Sequence, residues 1–406
     1  MDVKTRFLKY IDIHTTSNEE TADQVPSAER EFDLAKVLRD EMIEMGLSDV
    51  TMTDHAYVYG LLPATDDQKD AKSVCLISHL DTAPDYSGEN VKPQIIENYN
   101  GEDVTLPGTG ATLSVKDFPE LKDMKGRTLI TTDGTTLLGA DDKAGIAEIM
   151  TAVYELKESG KSHGPVYICF TPDEEIGSGA ALFDKELCPA DFAFTVDGDY
   201  EGEVAYENFN AASAKFEIKG VNVHPGEAKD IMVNAGLIGC EIAMMLPADQ
   251  TPANTEGREG FFHLIEMSGE VAKATLVYII RDHDAKKFQE KKDFLTEVAS
   301  KMNEKYGEGT VTLTITDSYE NMISVMENHM DVIELAQSAI RSVGLEPISR
   351  PVRGGTDGAQ LSFRGLPCPN LGTGGYGFHG PFEHITVESM ETVVEILKNI
   401  CENPLH

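Results

Sequence analysis

Two histidines and a handful of carboxylates have the residue types and settings for chemistry. His79 and Asp81 flank Leu80, and the period-two geometry of a strand turns both side chains to one face. A pair so placed can ligate a metal through the imidazole and orient that ligand through the acid. Asp141-Asp142 stand between the apolar Leu137-Leu138 and a helical pattern through Ile146, Ile149, Met150, Val153 and Leu156. One acid can cap that helix while the other faces a site. Asp173-Glu174-Glu175 is the sharper signal, because three consecutive acids repel one another unless cations or protons intervene. Asp197 ends a further apolar run, Phe192 to Val196. Gly372-Thr373-Gly374-Gly375-Tyr376-Gly377 formally matches the G-x-G-x-x-G fingerprint, but Phe378-His379-Gly380-Pro381 follows it instead of a helix. That context rejects a dinucleotide site. The glycines let the backbone come close to a site and deliver His379, with Glu383 behind it. A strand-end histidine, a loop histidine and four carboxylates form a mixed nitrogen and oxygen ligand set that suits zinc, with cobalt or manganese as substitutes.

The elements that must position these residues alternate in type. A helical stripe runs from Ser27 to Leu47 and is closed by Gly46. Short apolar runs at Val74 to Ile77, Pro165 to Phe170 and Phe192 to Val196 fit buried strands, and each leads directly into polar residues. Strands alternating with helices predict an α/β catalytic domain, with a mainly parallel mixed sheet between helices. Ligands of such sheets bind beyond the carboxyl ends of the strands, where these acids lie. Residues 212–316 read as strand-helix-strand-strand-helix-strand, an inserted α+β ferredoxin-like lid domain. The α/β pattern resumes with helices at Asp331 to Val343 and Val387 to Cys401, so residues 1–211 and 317–406 form one discontinuous catalytic domain.

Composition narrows the function classes. Of 406 residues, 70 are Asp or Glu against 34 Lys or Arg, a formal charge of -36. Such a chain repels phosphate backbones and anionic membranes, so neither nucleic acid nor membrane is an expected partner. The N-terminus lacks the apolar core of a signal peptide, and no apolar run is long enough to span a bilayer, which predicts a soluble cytoplasmic protein. Six cysteines without a C-x-x-C pair read as reduced, mostly buried thiols. A homodimer is compatible with all of this.

The segments His79-Leu80-Asp81-Thr82, Gly139-Ala140-Asp141-Asp142-Lys143-Ala144-Gly145 and Phe170-Thr171-Pro172-Asp173-Glu174-Glu175-Ile176-Gly177 resemble the family of two-zinc exopeptidases and deacylases that includes carboxypeptidase G and bacterial dipeptidases. Its tripeptide aminopeptidases are the most similar members. The resemblance implies two Zn2+ per subunit, with Asp141 bridging them, His79 and Asp197 completing one site, and Glu175 and His379 the other. It implies Glu174 as general base toward a water held between the metals, Asp81 as the group fixing the His79 ring, and a cis peptide between Asp141 and Asp142. For substrate it implies His224 on the tetrahedral oxyanion, Asn234 beside it, and Arg353 as a clamp on the peptide carboxylate, with Arg281 assisting. The implied activity is removal of the N-terminal residue from short peptides, most of all tripeptides. Dipeptidase or N-acyl amino acid deacylase activity, with the same metals, is the alternative.

Overall fold

The computed structural model describes residues Met1–His406. The chain divides into a first unit, Met1–Tyr206 with Ser324–Ser349 and Thr356–His406, and a second, Glu207–Ile323 with Arg350–Gly355.

The first unit is built on a seven-stranded sheet in the order Ser48–Met52, Val58–Leu62, Val166–Thr171, Val74–His79, Phe192–Gly198, Asn370–Gly372, Val204–Ala205. The four strands from Val166–Thr171 to Asn370–Gly372 run parallel, and the outer ones add antiparallel. Val74–His79 is buried along its whole length, as a strand covered on both faces must be. Cys75 and Ile77 enter a core with Tyr57, Tyr59, Cys169 and Leu361. The helix Ala140–Ser159 packs on Val74–His79 and Phe192–Gly198, and is itself flanked by the helices Val3–Ile11 and Val387–Glu402. Gly145 makes that approach possible: a Cβ there would lie 2.1 Å from the Val196 carbonyl oxygen. All six cysteines are free, and five are buried, Cys240 being the exposed one.

The chain leaving Val74–His79 next enters this sheet at Val166–Thr171 on one side, whereas the chain leaving the adjacent Phe192–Gly198 continues to strands on the other, which opens a crevice at the carboxyl ends of these strands. A smaller sheet of Gln94–Ile96, Leu129–Thr131, His384–Thr386 and Gly375–Tyr376 completes the unit. Its hairpin, pairing Gly375 with Ile385 and Tyr376 with His384, carries the loop that holds His379.

The second unit is an antiparallel sheet in the order Phe261–Gly269, Lys273–Asp282, Asn210–Lys219, Val311–Tyr319, with the helices Ala235–Met245 and Ala285–Tyr306 packed on it. Lys273–Asp282 alternates buried and part-exposed residues, and its buried Leu276 and Ile280 meet Phe216, Ile238, Leu295 and Val298. The unit takes in more chain than residues 212–316. The segment Arg350–Gly355 belongs to it because Val352 bridges Asn208 and its carbonyl accepts from His283 Nε2 at 3.1 Å. Arg353 therefore sits in the same unit as His224, and not with the residues of the large sheet.

Candidate metal and active site

The crevice gathers residues from five places in the chain, His379 on its hairpin loop being one of them. His79 ends its strand, Asp197 lies near the end of the next, and Glu175 sits in the one-turn helix Glu174–Ile176 that follows Val166–Thr171. Asp141 opens the helix Ala140–Ser159, where its backbone and that of Asp142 are non-helical and the bond between them is cis. His79, Asp141 and Asp197 bring ligand atoms within 4.8 Å of one another, and so do Asp141, Glu175 and His379. Asp141 belongs to both groups. Its Oδ1 lies 2.9 Å from His79 Nε2 and its Oδ2 lies 3.3 Å from His379 Nε2. His79 Nε2 is also 3.4 Å from Asp197 Oδ1, and His379 Nε2 is 2.9 Å from Glu175 Oε2.

Carboxylates outside the two groups hold the candidate ligands. His79 Nδ1 stands 3.3 Å from Asp81 Oδ1 and 3.0 Å from the Asp81 carbonyl oxygen, which leaves Nε2 pointing at Asp141 and Asp197. Asp81 also accepts the backbone N–H groups of Glu174 at 3.0 Å and Glu175 at 3.3 Å. Glu383 accepts three, from Leu138 at 2.6 Å, Gly139 at 2.8 Å and Asp141 at 2.9 Å, so it fixes the entry to the helix. Asp142 does not join the ligands; its Oδ2 accepts the His79 backbone N–H at 3.1 Å.

Crowding among the protein's own groups shifts each of them from its ordinary range. Burial first, then neighbouring acids, lifts Asp197 to about 6 and Glu175 to about 8, and pushes Glu174 well above the usual carboxylate range. Hydrogen bonds to Asp141 and Glu175 raise His379 to about 11. His79 is also raised, because the acids around it, Asp197 foremost, outweigh its burial. Asp141 alone is held low, since both imidazoles donate to it despite its burial. Buried acids in this number need positive charge beside them. Glu175 Oε1 is buried with no hydrogen-bond partner, an acceptor aimed at something other than the protein. Two imidazoles and three carboxylates around two adjacent positions fit a pair of divalent cations such as zinc.

A model of peptidase family M20/M25/M40 matches residues 131–403. The chain is 53% identical over 401 residues to a peptidase T from Clostridium perfringens, with 98% of each chain covered. The chain belongs to peptidase family M20/M25/M40. It is likewise 52% identical over 402 residues to a peptidase T from Caldanaerobacter subterraneus, again with 98% of each covered. Its fold is shared with a crystal structure of an aminopeptidase PepT from Bacillus cereus, at a TM-score of 0.77 and 23% identity, over 98% of this chain and 97% of that one. As an M20 family member akin to peptidase T, the chain is a metallo-aminopeptidase, and its site takes a metal cofactor. No helix is long and apolar enough to cross a membrane.

Of the residues expected to bind substrate, all four lie in the second unit of this M20 peptidase. His224 is exposed, and its Nδ1 accepts the Gly226 N–H at 3.1 Å. Asn234 caps the helix Ala235–Met245, its Oδ1 accepting from Leu237 N–H at 3.1 Å, which leaves the amide NH2 free of that duty. Arg281 donates to the Ile280 carbonyl at 2.9 Å and lies over the Tyr319 ring. Arg353 lies over the rings of Phe209 and Phe261 and donates to the carbonyls of Gly257 and Glu259 and to Thr255 Oγ1, at 2.9, 3.1 and 2.9 Å. Its fork is thus engaged by the Thr255–Glu259 loop.

Sequence reasoning missed two buried acids close to the candidate ligands. Asp357 is 2% exposed, accepts from Thr171 Oγ1 at 3.1 Å, and is lifted by burial to about 7. Its charge is among the causes of the upward shift of Glu174. The neighbouring Gly179 leaves it room, since a Cβ there would come within 2.1 Å of its Oδ2. Glu31 is the other. A signal existed for Asp357, an acid inside the glycine-rich Gly354-Gly355-Thr356-Asp357-Gly358, whereas Glu31 looked like any acid in a first helical turn.

Proposed function

We propose that this M20 peptidase removes the N-terminal residue from tripeptides with two zinc ions, held by His79, Asp141 and Asp197 and by Asp141, Glu175 and His379. The observation that carries the reading is the Asp141 carboxylate common to both ligand groups, one oxygen turned to each histidine. Zinc in such positions supplies Lewis-acid polarisation of the scissile carbonyl and of water. Glu174 takes a proton from the attacking water as the water oxygen bonds to the carbonyl carbon. It then passes that proton to the departing amine nitrogen as the C–N bond breaks. Asp81 serves the step twice, by fixing the His79 ring and by holding the backbone under Glu174.

His224 is proposed as the donor to the tetrahedral oxyanion, supported by its exposed imidazole with Nε2 uncommitted. His224→Ala should lower kcat by about 10²- to 10³-fold with little change in KM, the usual cost of one such donor. Steady-state kinetics on a single tripeptide checks it. Asn234, Arg281 and Arg353 are proposed to hold the rest of the peptide, Arg353 through the guanidinium N–H groups that its bonds to the Thr255–Glu259 loop do not use. The peptide panel tests the whole assignment: tripeptides, dipeptides and acetylated amino acids are offered side by side to the zinc-loaded protein. Cleavage of tripeptides at the first bond is expected, and cleavage confined to acetylated amino acids would replace the reading with a deacylase. A homodimer is proposed as the assembly, supported by the exposed apolar Leu237 and Met244 on one helix and Ile265 and Met267 on the edge strand Phe261–Gly269. Sedimentation equilibrium reads it, and a monomer at micromolar concentration would reject it.

A further inference from the structure

We propose that Glu31 is a positioning residue for the turn that carries Glu174 and Glu175, acting by holding the backbone N–H of Asp173. The inference rests on the proposed roles of Glu174 and Glu175.

Three consecutive backbone N–H groups enter this turn, and each ends on a carboxylate. Asp173 N–H donates to Glu31 Oε2 at 3.2 Å, Glu174 N–H to Asp81 Oδ1 at 3.0 Å, and Glu175 N–H to Asp81 Oδ2 at 3.3 Å. Asp81 therefore governs only two of the three. The first is governed from the helix Glu31–Glu44, which is remote in sequence from the rest of the site.

The contact is reciprocal. Asp173 Oδ2 accepts the Ser27 N–H at 2.7 Å, while Glu31 Oε1 accepts the Ala28 N–H at 3.3 Å. Two acids thus clasp the chain entering the helix to the chain entering the turn. The bond to Ala28 has the form of an ordinary capping box, which would account for an acid at position 31 by itself. It does not account for the rest. A capping carboxylate stands at the surface, whereas Glu31 is 0% exposed, and its second oxygen reaches outside its own helix to Asp173.

Asp173 needs holding. Its φ is +56°, the left-handed region, which costs a residue with a Cβ on the order of 1 kcal/mol and persists only where surroundings impose it. That backbone state aims the following residues, because Asp173 is the N-cap of the one-turn helix Glu174–Ile176. Once the clasp is lost, the strain at Asp173 can relax, and Glu174 moves with it. The protonation of Glu31 suits the role. Burial first, then Asp81 and Asp173, lifts its carboxyl far above the usual carboxylate range, which lessens repulsion beside Asp81.

The test compares Glu31→Ala, Glu31→Asp and Glu31→Gln with the wild type at saturating zinc on one tripeptide. Alanine removes the acceptor and aspartate, one methylene shorter, falls short of Asp173. Both should lower kcat by about 10²-fold at unchanged KM, the scale of a misplacement near 1 Å, and glutamine should recover at least about tenfold of that loss. The visible absorption of the Co2+-loaded proteins gives a readout independent of turnover. It should shift in the alanine and aspartate variants, because Glu175 is a ligand in the same turn. Wild-type kcat and an unshifted Co2+ spectrum in either folded variant would overturn the proposal. So would failure of both to fold, which would assign Glu31 to the fold and not to the turn. A wild type inert on tripeptides counts against the proposed function, and the Co2+ spectra still decide the role of Glu31.

Discussion

Glu174→Gln is expected to keep its full complement of metal and to lose about 10²- to 10⁴-fold in kcat, the range a general base contributes. Glutamine preserves the length and shape of the side chain but cannot take a proton from water. Metal should stay because Glu174 is in neither ligand group. The backbone should stay because the Glu174 N–H still donates to Asp81, whatever the side chain. Metal analysis beside single-turnover kinetics separates the two. Full activity in Glu174→Gln would remove this residue from the chemistry, and loss of metal together with activity would make it a ligand.

Asp141→Ala should cost more, because one carboxylate serves both groups. Each three-residue group then falls to two ligands, and His79 and His379 lose a common acceptor. Metal analysis after dialysis should find the content well below two ions per chain, with activity at background. Alanine at His379 should spare more, since His79, Asp141 and Asp197 remain complete. Equal metal content in Asp141→Ala and the wild type would end the idea of a shared ligand.

How far the site could be read from sequence follows from where each residue sits. His79, Asp141, Glu175 and Asp197 stand at the ends of apolar runs, and a buried strand or helix that breaks into acids is conspicuous in one dimension. His379 was reached through its glycines. The parts that stayed hidden depend on contacts between distant segments. Glu383 was placed behind His379, but its grip on Leu138, Gly139 and Asp141 crosses more than 240 residues of chain. Glu31 reaches Asp173 over 142 residues, and Asp357 reaches Thr171 over 186. The helix expected from Ser27 begins at Glu31, because the chain before it is drawn into that contact. Strands of two or three residues, such as Gly375–Tyr376 and Gln94–Ile96, are too short for alternation to register. Arg350–Gly355 carried no periodicity at all, so its return to the second unit was invisible without coordinates.

The crevice has one side that is difficult to alter and one that is not. His79, Asp141, Glu175 and Asp197 are anchored in or beside the large sheet, where Gly145 leaves the helix no spare distance from the strand. His379 instead stands on the tip of a hairpin, with its side chain 45% exposed. A change in that tip can reshape the wall nearest solvent without repacking the interior. Diversification of this chain can therefore work on the solvent-side wall while the sheet-side wall keeps its shape.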